Sequence, residues 1–310
     1  MDTKEITSIG YGTQEWFLNR AKESLIKIKE GEWDFSDSAL FWTDEVVKKY
    51  EDAQTVEQDN YKKHVTDKET IYLKRITPTL ISRLSQKINY IDLGPGTENK
   101  QDYFIDEIKS QNKELVYTPV DINARIVDAV SLHISKKGIN VFPVHSSFED
   151  MEQFIKDKTT PRFISLGLTF LNFKIDDILG IFKASLNTNG VAFINTQPRE
   201  KVKDLEELKK AYSGAHVIEM YNQKLKLIGL EINENIGDIE VTDEVKIYFN
   251  VKNPTEKAVE LGIKSGDRIF VFQSMRYPIE ILKSKLEGQF DCEYFDTEEE
   301  YLAVLLTNKK

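Results

Sequence analysis

The chain has 310 residues, of which 40% are hydrophobic and 30% are charged, a composition that supports one large folded domain or two medium ones. Its formal net charge is −10, and its basic clusters are short and have acidic residues close by, which argues against a nucleic-acid partner and favours a small-molecule substrate. No apolar run reaches the ~18 residues of a membrane helix, and the N-terminus lacks the layout of a signal peptide, so we expect no membrane partner and a cytoplasmic location.

The N-terminal segment, residues 1–70, is predicted to be mostly helical. It contains all three tryptophans, Trp16, Trp33 and Trp42. The simpler interpretation is that these rings pack within a helical cap. The alternative is that some of them line a substrate pocket, because aromatic rings suit amines and cations.

The middle of the chain alternates between apolar strands and amphipathic helices. The predicted strands are Ile88–Leu93, Leu115–Val120, Ile139–Val144, Arg162–Leu166 and Val191–Asn195, and the predicted helices are Asn99–Ser110, Ala124–Lys137, Glu149–Lys158 and Ile175–Leu186. This alternation predicts an α/β fold with a doubly wound parallel sheet and right-handed crossovers.

The most informative motif is the end of the first of these strands, Leu93-Gly94-Pro95-Gly96-Thr97, followed by a second strand that stops at Asp121. The glycines allow the backbone to approach a ligand closely, and an acid at the tip of the second strand can accept both hydroxyls of a ribose. A dinucleotide motif needs three glycines and a phosphate loop needs Gly-Lys-Ser/Thr, and both are absent here. The motif therefore favours S-adenosylmethionine, which has a ribose but no phosphate. The alternative is an ordinary tight turn, with Asp121 capping a helix together with Asn123.

After Pro198 the pattern changes. A helical stretch over 204–230 leads into alternating segments at Val245–Val251, Arg268–Gln273 and Tyr301–Leu306, with a helix predicted at Pro278–Leu286. Alternation of this kind predicts antiparallel strands with one face in water. A parallel core finished by antiparallel strands is the arrangement of Rossmann-like class I methyltransferases, although mixed sheets are common elsewhere.

Two domains follow from these patterns. Residues 71–198 plus 279–310 are predicted to form the S-adenosylmethionine-binding methyltransferase domain. Residues 1–70 plus 199–278 are predicted to form a second, mixed α+β substrate-binding or cap domain.

A metal site is not predicted. The four histidines lack ligand spacing, and the single cysteine, Cys292, excludes a multi-cysteine site. Because acids flank Cys292 and raise the pKa of a thiol, we expect it to be structural.

Several short blocks resemble the histidine-specific methyltransferases, a family that uses S-adenosylmethionine and includes the Nα-trimethylating enzyme of ergothioneine biosynthesis. The resemblance covers roughly residues 60 to 306, and the blocks that carry it are Leu93–Thr97 with Lys100, Tyr117–Ile122, Ser165–Asn172, Ala211–Tyr212 with Tyr221–Asn222, and Ser274–Tyr277. The chain is thus identified as a divergent member of this family.

The resemblance implies roles for individual residues. It implies cofactor contacts by Gly94, Gly96, Thr97, Lys100, Asp121, Ser147 and Phe148, in which Asp121 holds the ribose and Phe148 packs on the adenine. It implies substrate contacts by Asn172, Tyr212 and Ser274, with Asn172 and Tyr212 as the catalytic residues that orient the acceptor. Alternatively, Asn172 caps the helix that starts at Ile175, Tyr212 is a core residue with a satisfied hydroxyl, and Lys100 is simply solvated.

The chain departs from the family pattern at two positions. Ser147 replaces the acid that usually touches the adenine amine. Phe272 occupies the place of the acid that recognises histidine, two residues before Ser274. These changes indicate an acceptor other than histidine.

The sequence therefore predicts an S-adenosylmethionine-dependent N-methyltransferase acting on an amino acid, a small amine or a peptide amine. One alternative is an aminopropyl-type transferase, which would place paired acids after the fourth strand, where Leu166-Gly167-Leu168-Thr169 has none. Another is a non-catalytic protein that keeps the cofactor fold for binding.

Overall fold

The computed structural model of the chain describes residues 10–96 and 100–309. In chain order, the strands are β1 (Ile26–Lys29), β2 (Glu32–Asp34), β3 (Lys87–Leu93), β4 (Glu114–Asp121), β5 (Asn140–Val141), β6 (Val144–His145), β7 (Arg162–Leu166), β8 (Val191–Thr196), β9 (Gly237–Val241), β10 (Lys246–Val251), β11 (Arg268–Gln273), β12 (Phe290–Asp296) and β13 (Leu302–Asn308). The α-helices are α1 (Gln14–Ser24), α2 (Asp44–Thr55), α3 (Asp67–Ser82), α4 (Gln101–Ser110), α5 (Ala124–Ser135), α6 (Ile175–Ser185), α7 (Leu205–Ala211), α8 (Ala215–Lys226), α9 (Glu256–Glu260) and α10 (Ile279–Glu287).

The chain separates into two compact units. Of the described residues, the first unit contains 10–11, 68–96, 100–203 and 276–309, and the second contains 12–67 and 204–275. The assignment of cofactor binding to one part of the chain and substrate binding to the other stays a prediction.

The first unit is built on an eight-stranded sheet. Its order is β12-β13-β8-β7-β3-β4-β5, with β6 also paired to β4. Strands β3 to β8 pair in parallel, whereas β13 is antiparallel to β8 and to β12. A parallel sheet with helical crossovers and an antiparallel edge is the class I methyltransferase fold that the sequence predicted.

The register of the central strands places the glycine motif beside the acid. Leu93 pairs with Val120 across β3 and β4, so Gly94 and Asp121 follow at neighbouring carboxyl ends of the sheet. Strand β6 continues this edge, because His145 pairs with Asp121. Ligands of open α/β sheets bind outside the carboxyl ends of the strands, and this edge is therefore where the site is to be sought.

The core of the first unit explains why its strands read as continuous apolar runs. Both faces of the central sheet are covered, so neighbouring residues in a strand are all buried. Ile91 of β3, Ile164 of β7 and Phe182 of α6 are each fully buried in one apolar cluster. At about 25 cal/mol per Å² of apolar surface removed from water, such burial is the main force that holds the sheet and its helices together.

Two predicted elements of the first unit differ from the structure. The predicted strand Ile139–Val144 is present as two short pieces, β5 and β6, because Pro143 between them has no N–H to donate to the ladder. The predicted helix Glu149–Lys158 is wrong, and only a 3₁₀ turn at Met151–Gln153 forms. Here Asp157 accepts the backbone N–H groups of Thr159 and Thr160 at 2.9 and 3.0 Å, a local turn that competes with a helix.

The second unit is a mixed α+β structure, as predicted. Its five-stranded sheet has the order β1-β2-β11-β10-β9, in which β2 and β11 are parallel and the other pairs are antiparallel. The prediction of a mostly helical N-terminus was wrong for β1 and β2, which form a hairpin through Gly31 at a φ of 77°. Trp33 is buried on β2 and donates its indole N–H to Asp267 at 2.7 Å. The helix predicted over 204–230 is split into α7 and α8 at Gly214.

In the part of the chain that the structure describes, we find no helix with the length and apolar character needed to cross a bilayer.

Candidate functional site

The turn that ends β3 requires its glycines. Gly94 and Gly96 have φ values of 62° and 65°, a region that side chains with a Cβ rarely adopt. The Gly94 N–H donates to the carbonyl of Val120 at 2.9 Å, which holds the turn against the end of β4. Thr97, the next residue of the predicted cofactor loop, lies outside the described residues.

Asp121 ends β4 and is buried beside this turn. One carboxylate oxygen accepts the backbone N–H of Asn123 at 2.8 Å. Asn123, in turn, caps α5 by accepting the N–H of Ile126 at 3.2 Å, so the helix cap is Asn123 and not Asp121. Burial raises the pKa of Asp121 to about 7, because ionisation in a desolvated setting is costly. A strongly perturbed buried carboxyl at a strand tip is typical of a functional site rather than of a simple cap.

Phe148 lies over the glycine turn. A Cβ built on Gly94 would be 3.4 Å from the tip of the Phe148 ring and 3.7 Å from the methyl group of Thr169. The Phe148 ring also packs on Phe173, with 5.6 Å between ring centroids. The structure thus brings Gly94 and Phe148 together, and it adds Thr169, which the sequence analysis did not single out.

Ser147 is buried next to Phe148 and is committed to a local contact. Its hydroxyl donates to a carboxylate oxygen of Asp150 at 3.1 Å, and the same oxygen accepts the hydroxyl of Tyr11 at 2.6 Å. The Tyr11 ring meets His145 edge-on at 6.3 Å, and burial raises the pKa of Tyr11 to about 12. Tyr11 therefore belongs to this end of the sheet, which no local pattern in the sequence indicated.

Asn172 ends the 3₁₀ turn Leu168–Asn172 that follows β7, at the same carboxyl edge of the sheet. It is half-buried. The helix after it, α6, has Lys174 at its N-cap position and no side-chain cap, so the alternative that Asn172 caps this helix is wrong. Its position leaves the predicted role in substrate contact open to test.

Lys100 is paired rather than simply solvated. Its ammonium donates to the carboxylate of Glu69, a residue of α3 that is 1% exposed. The other carboxylate oxygen of Glu69 accepts the side-chain amide of Asn195 at 2.9 Å. Glu69 and Asn195 are further functional candidates that the sequence analysis missed.

In the second unit, two of the predicted substrate residues meet. The hydroxyl oxygens of Tyr212 and Ser274 are 2.8 Å apart, and both residues are buried. The Tyr212 ring meets the ring of Tyr61 edge-on at 5.6 Å, and its backbone carbonyl accepts the hydroxyl of Tyr221 at 3.3 Å. Tyr212 is thus a buried residue with a satisfied hydroxyl, which agrees with the alternative that it is a core residue. Its hydrogen-bond partner, Ser274, is the other predicted substrate residue of this unit.

Phe272 lies two residues before Ser274, on β11, and is surrounded by rings. Its centroid is 4.8 Å from that of Phe41 and 5.8 Å from that of Tyr221. The Lys224 ammonium lies over the Phe41 ring at 4.4 Å. This wall is aromatic, with one buried lysine over it, at the position where the resemblance implies a carboxylate.

The remaining polar candidates have structural roles. Cys292 lies on β12, and burial raises the pKa of its thiol. The ring of His133 pairs with Asp102 at 2.9 Å. Within the described ranges, no three His, Cys, Asp or Glu side chains come together as a possible metal site.

The edge of the first unit fits a ribose-bearing cofactor without a phosphate. The Gly94 turn admits a close ligand, Asp121 offers a carboxyl at the neighbouring strand tip, and Phe148 supplies an apolar ring for a base. S-adenosylmethionine, whose sulfonium carries an already activated methyl group, needs from the protein only binding, alignment and exclusion of water.

Comparison with curated protein sequences finds no match. Among solved structures, the PH0226 protein of Pyrococcus horikoshii OT3 has a TM-score of 0.48 at 12% identity, covering 77% of this chain and 90% of that one. An S-adenosylmethionine-dependent methyltransferase of Clostridium acetobutylicum ATCC 824 has a TM-score of 0.43 at 14% identity, covering 84% and 97%.

The family of the chain is shown by its sequence. The model of one family, described as histidine-specific, S-adenosylmethionine-dependent methyltransferase, matches residues 36–308. This chain therefore belongs to the histidine-specific S-adenosylmethionine-dependent methyltransferase family.

Proposed function

We propose that this protein transfers methyl groups from S-adenosylmethionine to the nitrogen of an amino acid, a small amine or a peptide amine, and that its acceptor is not histidine. The observation that carries the proposal is the pair formed by Tyr212 and Ser274, two buried hydroxyls 2.8 Å apart beside the aromatic wall at Phe272. The family assignment supplies the reaction, and this pair with its surroundings supports the class of acceptor.

An amine must lose its proton before its lone pair can attack the methyl carbon. A desolvated setting lowers the pKa of an ammonium, and neutral hydrogen-bond acceptors orient the amine that results. Tyr212 and Ser274 are neutral groups of this kind, and both are buried. We assign to Tyr212 the orientation of the acceptor nitrogen and to Ser274 the support of Tyr212.

Recognition of histidine requires a partner for the imidazole N–H groups. The ring of Phe272 packs between Phe41 and Tyr221 and has no atom that accepts such a hydrogen bond. Leaving a polar group of a substrate unpaired in a buried pocket costs about 1–3 kcal/mol. The aromatic wall instead favours an acceptor with an apolar or aromatic group near its amine.

The test is a mass-spectrometric screen of amines with the purified protein and S-adenosylmethionine. The panel contains histidine, the other amino acids, small polyamines and short peptides, and the readout is the addition of one to three methyl groups. We expect methylation of an amine other than histidine, and we expect the Tyr212→Phe variant to be slower on it.

Preferential methylation of histidine would overturn the assignment of the acceptor but leave the reaction intact. Binding of S-adenosylhomocysteine without methylation of any amine would overturn the N-methyltransferase proposal and favour a binding protein with the same fold. A product carrying an aminopropyl group after incubation with the decarboxylated cofactor would favour the transferase alternative.

A further inference from the structure

The first unit contains a buried carboxylate to which the family resemblance assigns no role. Glu69 lies in the first turn of α3 and is 1% exposed. Charged carboxylates are rarely buried to this degree unless they are paired. The burial of Glu69 therefore has to be explained by the groups that its carboxylate contacts.

Glu69 joins three elements at the carboxyl edge of the sheet. It accepts the ammonium of Lys100, immediately before α4, and the amide N–H of Asn195, on β8. Its carboxylate also lies near the turn after β7, because a Cβ built on Gly167 would be 3.6 Å from a Glu69 oxygen. One side chain from α3 thus contacts Lys100, which follows β3, and Asn195 on β8, and it lies close to the turn after β7.

Asn195 shows that the Glu69 contact has a cost. Asn195 is fully buried, and among the described residues its amide oxygen has no hydrogen-bond partner. An unsatisfied buried acceptor costs about 1–3 kcal/mol. The amide is oriented so that its N–H donates to Glu69, and its oxygen then has no hydrogen bond from the described residues. Such a cost at a strand end indicates an arrangement kept for function rather than for stability.

Lys100 is the part of this network that reaches the ligand edge. Its side chain is 20% exposed, compared with 1% for Glu69. It stands four residues after Gly96 of the glycine turn. An ammonium has three N–H donors and can bridge two carboxylates, one buried and one belonging to a ligand.

We propose that Glu69 is a positioning residue for the amino-acid tail of the cofactor. It holds the Lys100 ammonium, with Asn195 fixing the carboxylate from behind, so that the lysine meets the α-carboxylate of S-adenosylmethionine or S-adenosylhomocysteine. The inference rests on the placement of the cofactor at the Gly94 turn, and it concerns only the end of the ligand that carries the carboxylate.

The experiment compares two ligands by calorimetry. S-adenosylhomocysteine has the amino-acid tail, and 5′-methylthioadenosine has the same nucleoside and a thioether but no tail. In Glu69→Gln, we expect the affinity for S-adenosylhomocysteine to fall about 10-fold, corresponding to ~1.4 kcal/mol. We expect the affinity for 5′-methylthioadenosine to stay within about twofold of the parent, because this ligand lacks the tail that Lys100 would meet. A twofold change corresponds to ~0.4 kcal/mol.

Glu300→Gln is the matched control. Glu300 is another buried carboxylate of the same unit that bridges a lysine and an amide, accepting Lys68 at 2.5 Å and Gln197 at 3.0 Å. Glu300→Gln should lower the free energy of unfolding in a similar way, without changing the ratio of the affinities for S-adenosylhomocysteine and 5′-methylthioadenosine. A purely structural role for Glu69 would make the two variants behave alike.

Equal losses for both ligands in Glu69→Gln, or no loss for either, would overturn the inference. If the parent protein binds neither ligand, the placement of the cofactor fails, and the proposal for Glu69 fails with it. Should Glu69→Gln not fold, Lys100→Gln is measured in the same way and must show the same selective loss.

Discussion

The hydroxyl oxygens of Tyr212 and Ser274 lie 2.8 Å apart, although 62 positions separate the two residues in the chain. One follows α7 and the other follows β11, and both are buried. A hydrogen bond between neutral side chains contributes only about 1 kcal/mol to stability. Removing it should therefore leave a folded protein in which its contribution to catalysis can be measured.

We expect Tyr212→Phe to lower kcat/KM for the methyl acceptor by about 10- to 100-fold, the loss of one or two hydrogen bonds made in the transition state at about 1.4 kcal/mol per factor of ten. The affinity for S-adenosylhomocysteine should not change. Ser274→Ala should have a smaller effect on its own. In the double variant the two effects should not add, because both remove the same interaction.

Tyr248→Phe is the control for this comparison. It removes a hydroxyl from a half-buried tyrosine of the same unit, whose ring packs on Phe270 at 5.2 Å. Its kinetics should match those of the parent. Additive losses in the Tyr212 and Ser274 variants would contradict a shared role.

Gly94→Ala should weaken cofactor binding as well as stability. The positive φ of 62° costs a residue with a Cβ about 1–2 kcal/mol, and the new methyl group would press on Phe148 at 3.4 Å. The measurements are thermal unfolding and calorimetry with S-adenosylhomocysteine.

Gly138→Ala separates strain from function. Gly138 has a φ of 77°, and a Cβ there would meet no atom within 4 Å. The two variants should lose similar stability, but only Gly94→Ala should lose cofactor affinity. Equal affinities in both variants would argue against a ligand at the Gly94 turn.

The pKa of Asp121, raised by burial to about 7, predicts a pH-dependent cofactor affinity. Ribose hydroxyls donate more strongly to an ionised carboxylate than to a protonated one. Affinity for S-adenosylhomocysteine should therefore increase as the pH rises through about 7. Asp121→Asn should lose this increase, together with about 10-fold or more in affinity, since hydrogen bonds to charged groups contribute about 1.5–3 kcal/mol.

The same carboxyl affects the stability of the ligand-free protein in the opposite sense. The unfolded chain releases the Asp121 proton near its ordinary pKa of about 3.9, well below the pKa of the folded state. Between about pH 4 and pH 7 the folded state holds more protons, so this group makes the free energy of unfolding decrease as the pH rises. Asp121→Asn should remove that decrease, which is measured by comparing the free energy of unfolding of the variant and the parent across this pH window.

The sequence was sufficient to predict that the glycine turn and Asp121 lie at one edge of the sheet, because its signals are local. A fully buried strand, a turn with glycines and an acid at the next strand tip are each contiguous in the chain, and parallel pairing brings them together without further information. The same locality explains the successful prediction of β7 and α6. Their apolar residues and their flanking turns lie within one short segment.

Contacts between distant segments could not be predicted. Glu69 meets Asn195 across 126 positions, and Tyr11 meets Asp150 across 139. No periodicity marks such pairs, since each depends on how helices pack against the sheet. The helix predicted at 149–158 failed for a different reason, because the Asp157 carboxylate accepts the backbone N–H groups of Thr159 and Thr160 in a turn that competes with a helix.

Phe272 offers a test of acceptor choice. Replacing it by glutamate would place a carboxylate beside Phe41, whose ring centroid lies 4.4 Å from the Lys224 nitrogen. Burial lowers the pKa of Lys224 to about 7, and a neighbouring carboxylate would favour its charged form. We expect Phe272→Glu to lower stability, because a partly buried ring contact is lost and a charge is desolvated. We also expect the ratio of kcat/KM for histidine to that for the preferred amine to rise by about 10-fold, since one charge-assisted hydrogen bond to imidazole is worth roughly 1.4 kcal/mol in this setting.

Phe270→Glu is the matched control for this prediction. Phe270 lies two residues earlier on the same strand, is also half-buried, and packs on Tyr248 instead of on Phe41. It should cost stability without shifting the preference toward histidine. If both variants shift the ratio equally, or if neither does, Phe272 does not determine the acceptor. A parent protein that already prefers histidine would contradict the premise directly, because a phenyl ring would then be sufficient to recognise an imidazole.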